Sequence, residues 1–386
     1  TTLSVGDAAD ITSSTGNIAF TAGTSISNDG VITATTGDIS MTAGTTLDLL
    51  DSTAGDVVAT AGSVTITADS TITTADNLAI TAGAGSLTVT STSADINSDT
   101  ATAITSSTTM DITTGTGADF VGALTSGTAM NITTGTSLAA GGKLTATTGN
   151  MTINSGTFAT FSAAADGATA VAGDLSITAG TVATITHDIE ATAGSVTVDA
   201  NSITSAGTGS IIAGKSVTLD ADTTITLGED VTATTGNITM TAVGQVSVED
   251  IALTTGNLSI TTDANFLNTG AGDIAVVTGD VTITAGTTVV LDTSDLTVTT
   301  GDVAITAGTT ATINEAITVT SGNIALNASS FSSQDTNGAI STSAGTLTFT
   351  GTSTTVDSVF RETIQATEIV LAGSGHDYTD DADAET

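Results

Sequence analysis

The sequence has 386 residues and carries 40 acidic against 3 basic residues, so its formal net charge is -37 although only 11% of its residues are charged. It contains no Cys, no Pro and no Trp, and roughly a quarter of it is Thr. The absence of Cys excludes disulfides and thiolate metal sites. With so few aromatic and catalytic side chains, the composition argues against a compact enzyme and predicts a protein without catalytic residues.

The charge also restricts the partners of this chain. Its only basic side chains, apart from two His, are Lys143, Lys215 and Arg361, which are too few to neutralise phosphates or an anionic membrane surface. No apolar run reaches about 18 residues and no signal-peptide pattern is present. Because the chain begins at Thr1 instead of Met, we expect a product processed by signal-peptide removal and located outside the cell or on its surface, with no nucleic-acid binding and no membrane insertion.

A motif of Gly, a small polar residue and alternating apolar residues recurs from Gly16 onwards, as in Gly16–Gly23 and Gly301–Gly308. Alignment on the last apolar residue gives sixteen anchor positions, which are Phe20, Met41, Ile66, Val89, Ile112, Ile132, Ile153, Ile177, Val198, Leu219, Met240, Ile260, Ile283, Ile305, Leu326 and Phe349. The mean step is about 22 residues, which is typical of solenoid repeats. The chain is therefore predicted to be a repeat protein.

Each repeat begins with a corner and continues into a strand. The residue two positions before the anchor is apolar in every copy, and this alternation is typical of a half-buried strand. Four positions before the anchor stands Gly, except at Thr108, Thr128 and Lys215. Because each repeat carries two further short alternating runs, we predict an all-β fold, a right-handed parallel β-helix of about sixteen coils with three short strands per coil.

Two regions depart from the regular repeat. Residues 94–148 keep the period but lose the opening Gly, so looser coils are expected there. Just beyond this region, Phe158 and Phe161 are predicted to fill the interior of the rod. Residues 352–386 do not match the motif, so we divide the chain into a rod, 1–351, and a C-terminal segment, 352–386, with an acidic tail.

The C-terminal segment contains an alternating stretch, Thr363–Leu371. Such a strand either adds to the coil of a neighbouring molecule or folds onto its own rod. The residues predicted to mediate assembly in the first case are Thr363, Ile364, Ala366, Glu368 and Val370.

The repeated Gly-Asp/Asn corners and alternating Thr-rich strands from Gly16 to about Gly351 resemble the repeats of filamentous-haemagglutinin-type bacterial adhesins. That resemblance implies a right-handed β-helical shaft on a secreted protein. The secretion domain of that family carries a signature containing Asn-Pro, whereas this chain has no Pro. Either the chain is therefore similar to a piece of the shaft of such a protein, or its ends are closed in some other way.

Acidic residues recur at a second corner of the repeat, and stacked carboxylates of this kind repel one another unless they splay into solvent or bind a hard cation. The sequence leaves open a solvated acidic ridge or a Ca²⁺ site; no cofactor is required, and Ca²⁺ is the only one suggested. The candidate metal ligands are Asp188, Glu190, Glu229, Asp230, Glu249, Asp250, Asp292, Asp295 and Glu315.

Three functions remain open at this point. The first is a structural subunit of an extracellular filament or matrix that assembles with itself head to tail, because the ends of a β-helix expose unpaired strand edges. The second is the shaft of an adhesin that binds a host or surface ligand such as a polysaccharide. The third is a polysaccharide-active enzyme, for which Asp199, Asp220 and Asp222 are the only closely spaced carboxylates.

Overall fold

The computed structural model describes residues 1–6, 9–50, 56–75, 78–98, 103–162, 167–268, 270, 272–293, 295–332, 339–351, 358–360, 363–373 and 378–380. These residues form a parallel β-solenoid of about 15 turns of about 22 residues, and no helix long and apolar enough to cross a membrane occurs among them. The predicted all-β, parallel β-helical fold is confirmed; its right-handed sense stays a prediction. The chain divides into two compact units, Thr1–Thr197 and Val198–Thr386.

In the first unit, each short strand pairs in parallel with the strand three further along the chain, so one coil contains three strands and the unit has three sheets. The anchor sheet contains Ile18–Ala22, Ile39–Ala43, Val64–Ala68, Leu87–Ser91, Met110–Thr114, Met130–Thr134 and Met151–Ser155. The second sheet contains Leu3–Val5, Ile26–Asn28, Leu47–Leu49, Ile72–Thr74, Ile96–Ser98, Ala118–Phe120, Leu138–Ala140 and Phe158–Phe161. The third sheet contains Ile11–Ser13, Ile32–Ala34, Val57–Ala59, Ala79–Ala82, Ala103–Ser106, Ala123–Ser126, Leu144–Ala146 and Ala168–Ala170. The long strand Leu175–Ala191 pairs with the last strand of all three sheets.

The second unit repeats this arrangement, and the boundary between the units falls within the strand Val196–Ala213. The anchor sheet contains Val217–Leu227, Ile238–Ala242, Leu258–Thr262, Val281–Ala285, Val303–Ala307, Ile324–Ala328, Thr346–Gly351 and Glu368–Ala372. The second sheet contains the end of Val217–Leu227 with Val246–Val248, Phe266–Asn268, Val289–Leu291, Thr310–Ile313, Ser330–Ser332, Ser358–Phe360 and Tyr378–Asp380. The third sheet contains the end of Val196–Ala213 with Val231–Thr235, Ile251–Thr255, Ile274–Thr278, Leu296–Thr300, Ile317–Ser321, Ala339–Thr342 and Thr363–Gln365.

The core of each unit consists of columns of equivalent residues from successive coils. Ile283, for example, is in register with Ile260 on one side and Ile305 on the other, and all three are fully buried. Phe161 is buried as predicted, but the prediction for Phe158 is wrong, because its side chain is 50% exposed. In the strand Phe158–Phe161 the buried positions are 159 and 161, so position 158 faces outwards.

The recurrent Gly at the first corner is required by close packing of the coils. In the second unit Gly256, Gly279, Gly301 and Gly322 have φ between +130° and +146°, a region that favours Gly. A Cβ atom at Gly301 would also clash with the carbonyl oxygen of Gly279 on the preceding coil. The glycines of this corner therefore stack directly on one another, and a side chain at any of them separates two coils.

The two consecutive corners of the first unit that lack Gly each contain a Ser hydroxyl that bonds to the corner backbone. The hydroxyl Oγ of Ser106, which is buried, lies 2.9 Å from the carbonyl oxygen of Thr109, and that of Ser126 lies 2.7 Å from the carbonyl oxygen of Ala129. Met110–Thr114 and Met130–Thr134 pair residue by residue through this region. The register thus continues through Thr108 and Thr128, and the same hydroxyl contact occurs at a corner that has Gly, where Oγ of Ser13 lies 2.8 Å from the carbonyl oxygen of Gly16.

Replacement of a column residue by a charge tests the register. We expect Ile283→Asp to lower the free energy of unfolding by more than about 4 kcal/mol, because it buries an unpaired carboxylate among apolar neighbours. The matched control is Thr282→Asp, whose side chain is exposed. Chemical denaturation followed by circular dichroism measures both; equal stabilities for the two variants would contradict the register.

Replacement of a corner Gly tests the stacking of the corners. Gly301→Ala is expected to cost about 1–3 kcal/mol, since it adds a clash and places Ala at a positive φ. Gly228→Ala is the control, because the nearest atom to its new Cβ, the carbonyl oxygen of Ser205, is 3.5 Å away. Thermal unfolding of both variants gives the comparison, and a melting temperature for Gly301→Ala equal to that of the control would refute the stacked corner.

Candidate functional site

The polar residue after the corner Gly forms a ladder of side-chain hydrogen bonds, which we call the Asx ladder. In the second unit the backbone N–H of Asp280 donates to Oδ1 of Asn257 (2.9 Å), and that of Asp302 donates to Oδ1 of Asp280 (2.9 Å). The N–H of Asn323 continues it to Oδ1 of Asp302 (2.7 Å). The first unit has equivalent bonds, for example from the N–H of Ser63 to Oδ1 of Asp38 (2.8 Å). These carboxylates therefore satisfy corner N–H groups and have a structural role.

A second acidic column lies at the corner that precedes the third sheet of the second unit. The register Val231, Ile251, Ile274, Leu296 places Asp230, Asp250, Asp273 and Asp295, each one residue earlier, on successive coils. The N–H of Asp273 donates to Oδ1 of Asp250 (2.6 Å), and the N–H of Asp295 donates to Oδ1 of Asp273 (3.0 Å). We call these four residues the acidic column.

The acidic column accounts for three of the nine predicted metal ligands, Asp230, Asp250 and Asp295. Glu229 and Glu249 precede column members by one residue, and Asp292 and Glu315 follow strands of the second sheet. Oδ1 of Asp292 accepts a hydrogen bond from Nδ2 of Asn314 (2.5 Å). Asp273 was missed by the sequence analysis, although its spacing of about one repeat from Asp250 and from Asp295 is the signal that identifies it.

The remaining two predicted ligands, Asp188 and Glu190, lie in the first unit. Glu190 is not a corner residue, because it is paired within the third sheet with Thr169, and its Oε1 accepts a hydrogen bond from Oγ1 of Thr192 (2.8 Å). Asp188 is the residue that precedes this paired segment, as the acidic column does in the second unit. The corner position predicted for Glu190 is thus corrected.

The geometry of these acids does not assemble a metal centre. Within the part of the chain that the structure describes, no three His, Cys, Asp or Glu side chains are grouped so that they can hold a metal ion. Calcium binding stays a prediction: if Ca²⁺ binds, chelation with EDTA lowers the melting temperature at constant ionic strength. A matched Na⁺ titration is the control, and equal effects of Ca²⁺ and Na⁺ would identify a solvated ridge.

The carboxylates considered for catalysis, Asp199, Asp220 and Asp222, are all exposed. Asp220 lies on the outer surface of the anchor sheet, paired with Thr241. All three residues lie within strands, Val196–Ala213 and Val217–Leu227, with their side chains outside the core. They contribute charge to the surface. Among the described residues, no hydrogen bond to their carboxylates supports a catalytic role.

The C-terminal segment continues the ladder of its own unit. Thr363–Gln365 pairs with Ala339–Thr342, and Glu368–Ala372 pairs with Thr346–Gly351 over five residues. Of the predicted assembly residues, Thr363 and Ile364 lie in the first of these strands, Glu368 and Val370 lie in the second, and Ala366 lies between them. One edge of the predicted strand is therefore used within the same chain. The division predicted at residue 351 stays a prediction, and residues 352–357 lie outside the described residues.

The residues that stand out in this last anchor strand are not the predicted ones. Ile369 and Leu371 are in register with Leu347 and Phe349, which are fully buried, yet they are 46% and 53% exposed. They occupy core columns whose far side is open to solvent. The sequence signal for them is spacing. Leu371 follows the anchor Phe349 by one repeat, and Ile369 stands two positions before Leu371, as Leu347 stands before Phe349.

Asp95 is the acidic residue with the clearest electrostatic environment. Its Oδ1 accepts hydrogen bonds from Oγ1 of Thr116 (2.5 Å) and from the N–H of Gly117 (2.8 Å) on the next coil. The Thr116 hydroxyl first and the Gly117 N–H second hold the pKa of Asp95 below its usual value, while partial burial opposes them. The ionised form therefore links two coils of the first unit.

The lowered pKa of Asp95 predicts an acid-dependent stability. Because the folded state favours the ionised form, this contribution is present above the usual carboxyl pKa of about 4 and is lost as the pH falls through the lower folded value. Asp95→Asn keeps an acceptor oxygen but cannot ionise. We expect the difference in melting temperature between wild type and Asp95→Asn to shrink between pH 5 and pH 2, and a difference independent of pH would contradict this assignment.

The chain matches no protein-family model, no curated protein and no solved structure in our comparisons. The parallel solenoid is consistent with the β-helical repeats of the adhesins noted above, but no family match supports the filamentous-haemagglutinin type. The function of this chain must therefore be inferred from its fold and its surfaces.

Proposed function

We propose that this chain is a structural subunit of an extracellular filament or matrix that elongates head to tail through the ends of its solenoid. The observation that carries the proposal is the exposure of Ile369 and Leu371 in columns that are fully buried one coil earlier. Exposed apolar side chains arranged on an in-register strand favour a partner that supplies another coil.

The first coil of the chain has the complementary features. Leu3–Val5, Ile11–Ser13 and Ile18–Ala22 are the first strands of the second, third and anchor sheets. Phe20 is half-buried, whereas Met41, which is in register with it, is fully buried. The last described strands, Thr363–Gln365, Glu368–Ala372 and Tyr378–Asp380, also belong to one sheet each. The three strands at the first coil of one copy and the three strands at the last coil of another copy thus belong to the same three sheets.

This contact is heterologous, because the two surfaces that meet are different, and a heterologous contact that does not close into a ring propagates into a filament. The net charge of -37 opposes association at low ionic strength. At 0.1 M, salt screens that repulsion beyond a Debye length of about 10 Å, whereas it leaves backbone hydrogen bonds and apolar stacking intact. Elongation is therefore expected to increase with ionic strength.

The shaft of a secreted or surface adhesin is the second candidate, since the same open columns are covered there by further coils of a longer chain. It is favoured by the uninterrupted register of the strands within each unit. An extracellular location is part of both proposals. The very low content of Lys and Arg leaves few cleavage sites for trypsin-like proteases and supports durability outside the cell.

Substitution of Leu371 tests head-to-tail elongation. Leu371→Lys places a charge at the proposed contact, and because Leu371 is half exposed the variant is expected to fold. We expect wild type to form thin unbranched filaments as NaCl rises, and we expect Leu371→Lys to raise the critical concentration at least 10-fold. Light scattering and negative-stain electron microscopy give the readout.

The matched control is Val277→Lys. Val277 is 48% exposed on the outside of the third sheet, so this variant changes the charge by the same amount away from the coil end. Since each Lys reduces the net negative charge, a loss of elongation cannot come from greater repulsion. Wild type that stays monomeric at every salt concentration, or Leu371→Lys that elongates like the control, would reject the filament and favour the adhesin shaft.

A further inference from the structure

Each unit carries on its anchor sheet an array of outward residues that contains no charge. The array of the first unit spans the four strands from Ile18–Ala22 to Leu87–Ser91, and that of the second unit spans the four from Ile238–Ala242 to Val303–Ala307. The outward residues are Ala19, Thr21, Ser40, Thr42, Thr65, Thr67, Thr88 and Thr90 in the first, and Thr239, Thr241, Ser259, Thr261, Thr282, Thr284, Ala304 and Thr306 in the second. Both arrays therefore consist of six Thr, one Ser and one Ala.

The register makes each array a two-dimensional lattice. Thr21, Thr42, Thr67 and Thr90 are paired directly on successive strands, as are Thr241, Thr261, Thr284 and Thr306. Equivalent residues lie about 4.8 Å apart across strands and alternate residues about 6.7 Å apart along a strand. All sixteen side chains are exposed or half-buried, and their hydroxyls make no hydrogen bond to another described residue.

Acidic residues surround the array of the second unit at both strand ends and at its first strand, but none lies within it. Asp280 and Asp302 lie at one rim of the second array, where Oδ1 of Asp280 is occupied by the Asx ladder, and Asp263 follows the strand at the other rim. Asp220 is paired with Thr241 and limits the array along the anchor sheet. Beyond Val303–Ala307 the outward residues Ala325, Asn327, Thr348 and Thr350 are also uncharged. In a chain with 40 acids, such a surface is one where a second equally acidic molecule can approach closely.

We propose that the threonine arrays are the surfaces through which copies of this chain associate side by side. The inference rests on the proposed function, because each array covers only about 300 Å² at these spacings, whereas a stable interface buries about 800 Å² per partner. A single array is too small to hold a dimer, but copies joined head to tail present many arrays at once and bind multivalently. Lateral association is thus coupled to elongation.

A second copy is the partner that the periodicity favours. Another solenoid of this sequence repeats at the same strand spacing, so that one row of Thr methyls and hydroxyls fits the rows of the other, as in the zipper interfaces of stacked sheets. Two sheets that pack face to face lie about 10 Å apart, which accommodates one layer of side chains from each. The contact is isologous, because an array meets the same array of the other copy.

A double substitution with one Lys in each array tests the proposal. Thr67→Lys with Thr261→Lys changes the middle of both arrays, and the control, Val121→Lys with Val277→Lys, adds the same charge at exposed positions that are not on the anchor sheets. Wild type and control are expected to form bundles of two or more filaments at high salt. The array variant is expected to form single filaments of unchanged length, which electron microscopy distinguishes from bundles.

The outcomes separate this inference from the proposed function. Wild-type filaments that stay single, or an array variant that bundles like the control, overturn the lateral contact and leave the filament intact. If wild-type filaments stay single and also alter the growth of ice crystals in undercooled solution, the array binds the ice lattice instead of a second copy, and the proposal is wrong.

A cross-linking assay reports on the array contact directly, because a covalent link captures encounters too weak to form a stable dimer. The chain has no Cys, so Thr261→Cys and, as the control on the third sheet, Val277→Cys each introduce one thiol. At millimolar protein concentration and high salt, a bis-maleimide of about 10 Å, matched to the spacing of packed sheets, is expected to give at least 3-fold more covalent dimer with Thr261→Cys. Equal yields at the two positions would overturn the proposal.

Discussion

In-register parallel stacking is the constraint on which the rest of this structure depends. Each residue of a coil lies about 4.8 Å from its equivalents on the neighbouring coils, so every position must be compatible with a copy of itself. Apolar columns such as Ile260, Ile283 and Ile305 meet this condition inside. Thr meets it on the outer faces, because it is β-branched and uncharged. The acids are largely confined to the corners, where side chains can turn towards solvent.

The corners show how the same constraint acts on backbone groups. Stacked Gly residues let one coil approach the next, and the Asx side chain that follows accepts the N–H of its equivalent on the adjacent coil. A charged Asp accepts this bond well, and two like charges meet where Asp302 follows Asp280, whereas Asn257 and Asn323 on either side of this pair are neutral. The acidity of this protein is therefore partly a structural property of the ladder.

The ends of the solenoid connect the fold to the proposed function. A coil with a neighbour on one side only buries its core columns on that side only. The last described coil of the anchor sheet therefore exposes Ile369 and Leu371. In the proposed assembly, a second copy extends the solenoid with the same backbone register that holds the interior together. Side-by-side association through the threonine arrays is the second proposed contact, and the two proposals together describe a matrix built from one kind of subunit.

The sequence by itself determined the period, the strand that contains each of the sixteen anchors, and the all-β solenoid, because a repeated pattern of Gly and alternating apolar residues has few other solutions. It also identified Asp250 and Asp295 as stacked acids. Only the tertiary structure decided that Glu190 lies within a sheet and that Phe158 faces outwards, since each depends on which residues pair across coils of unequal length. The pairing of Glu368–Ala372 with its own chain and the exposure of Ile369 and Leu371 were likewise decided by strand register, which local alternation leaves undetermined.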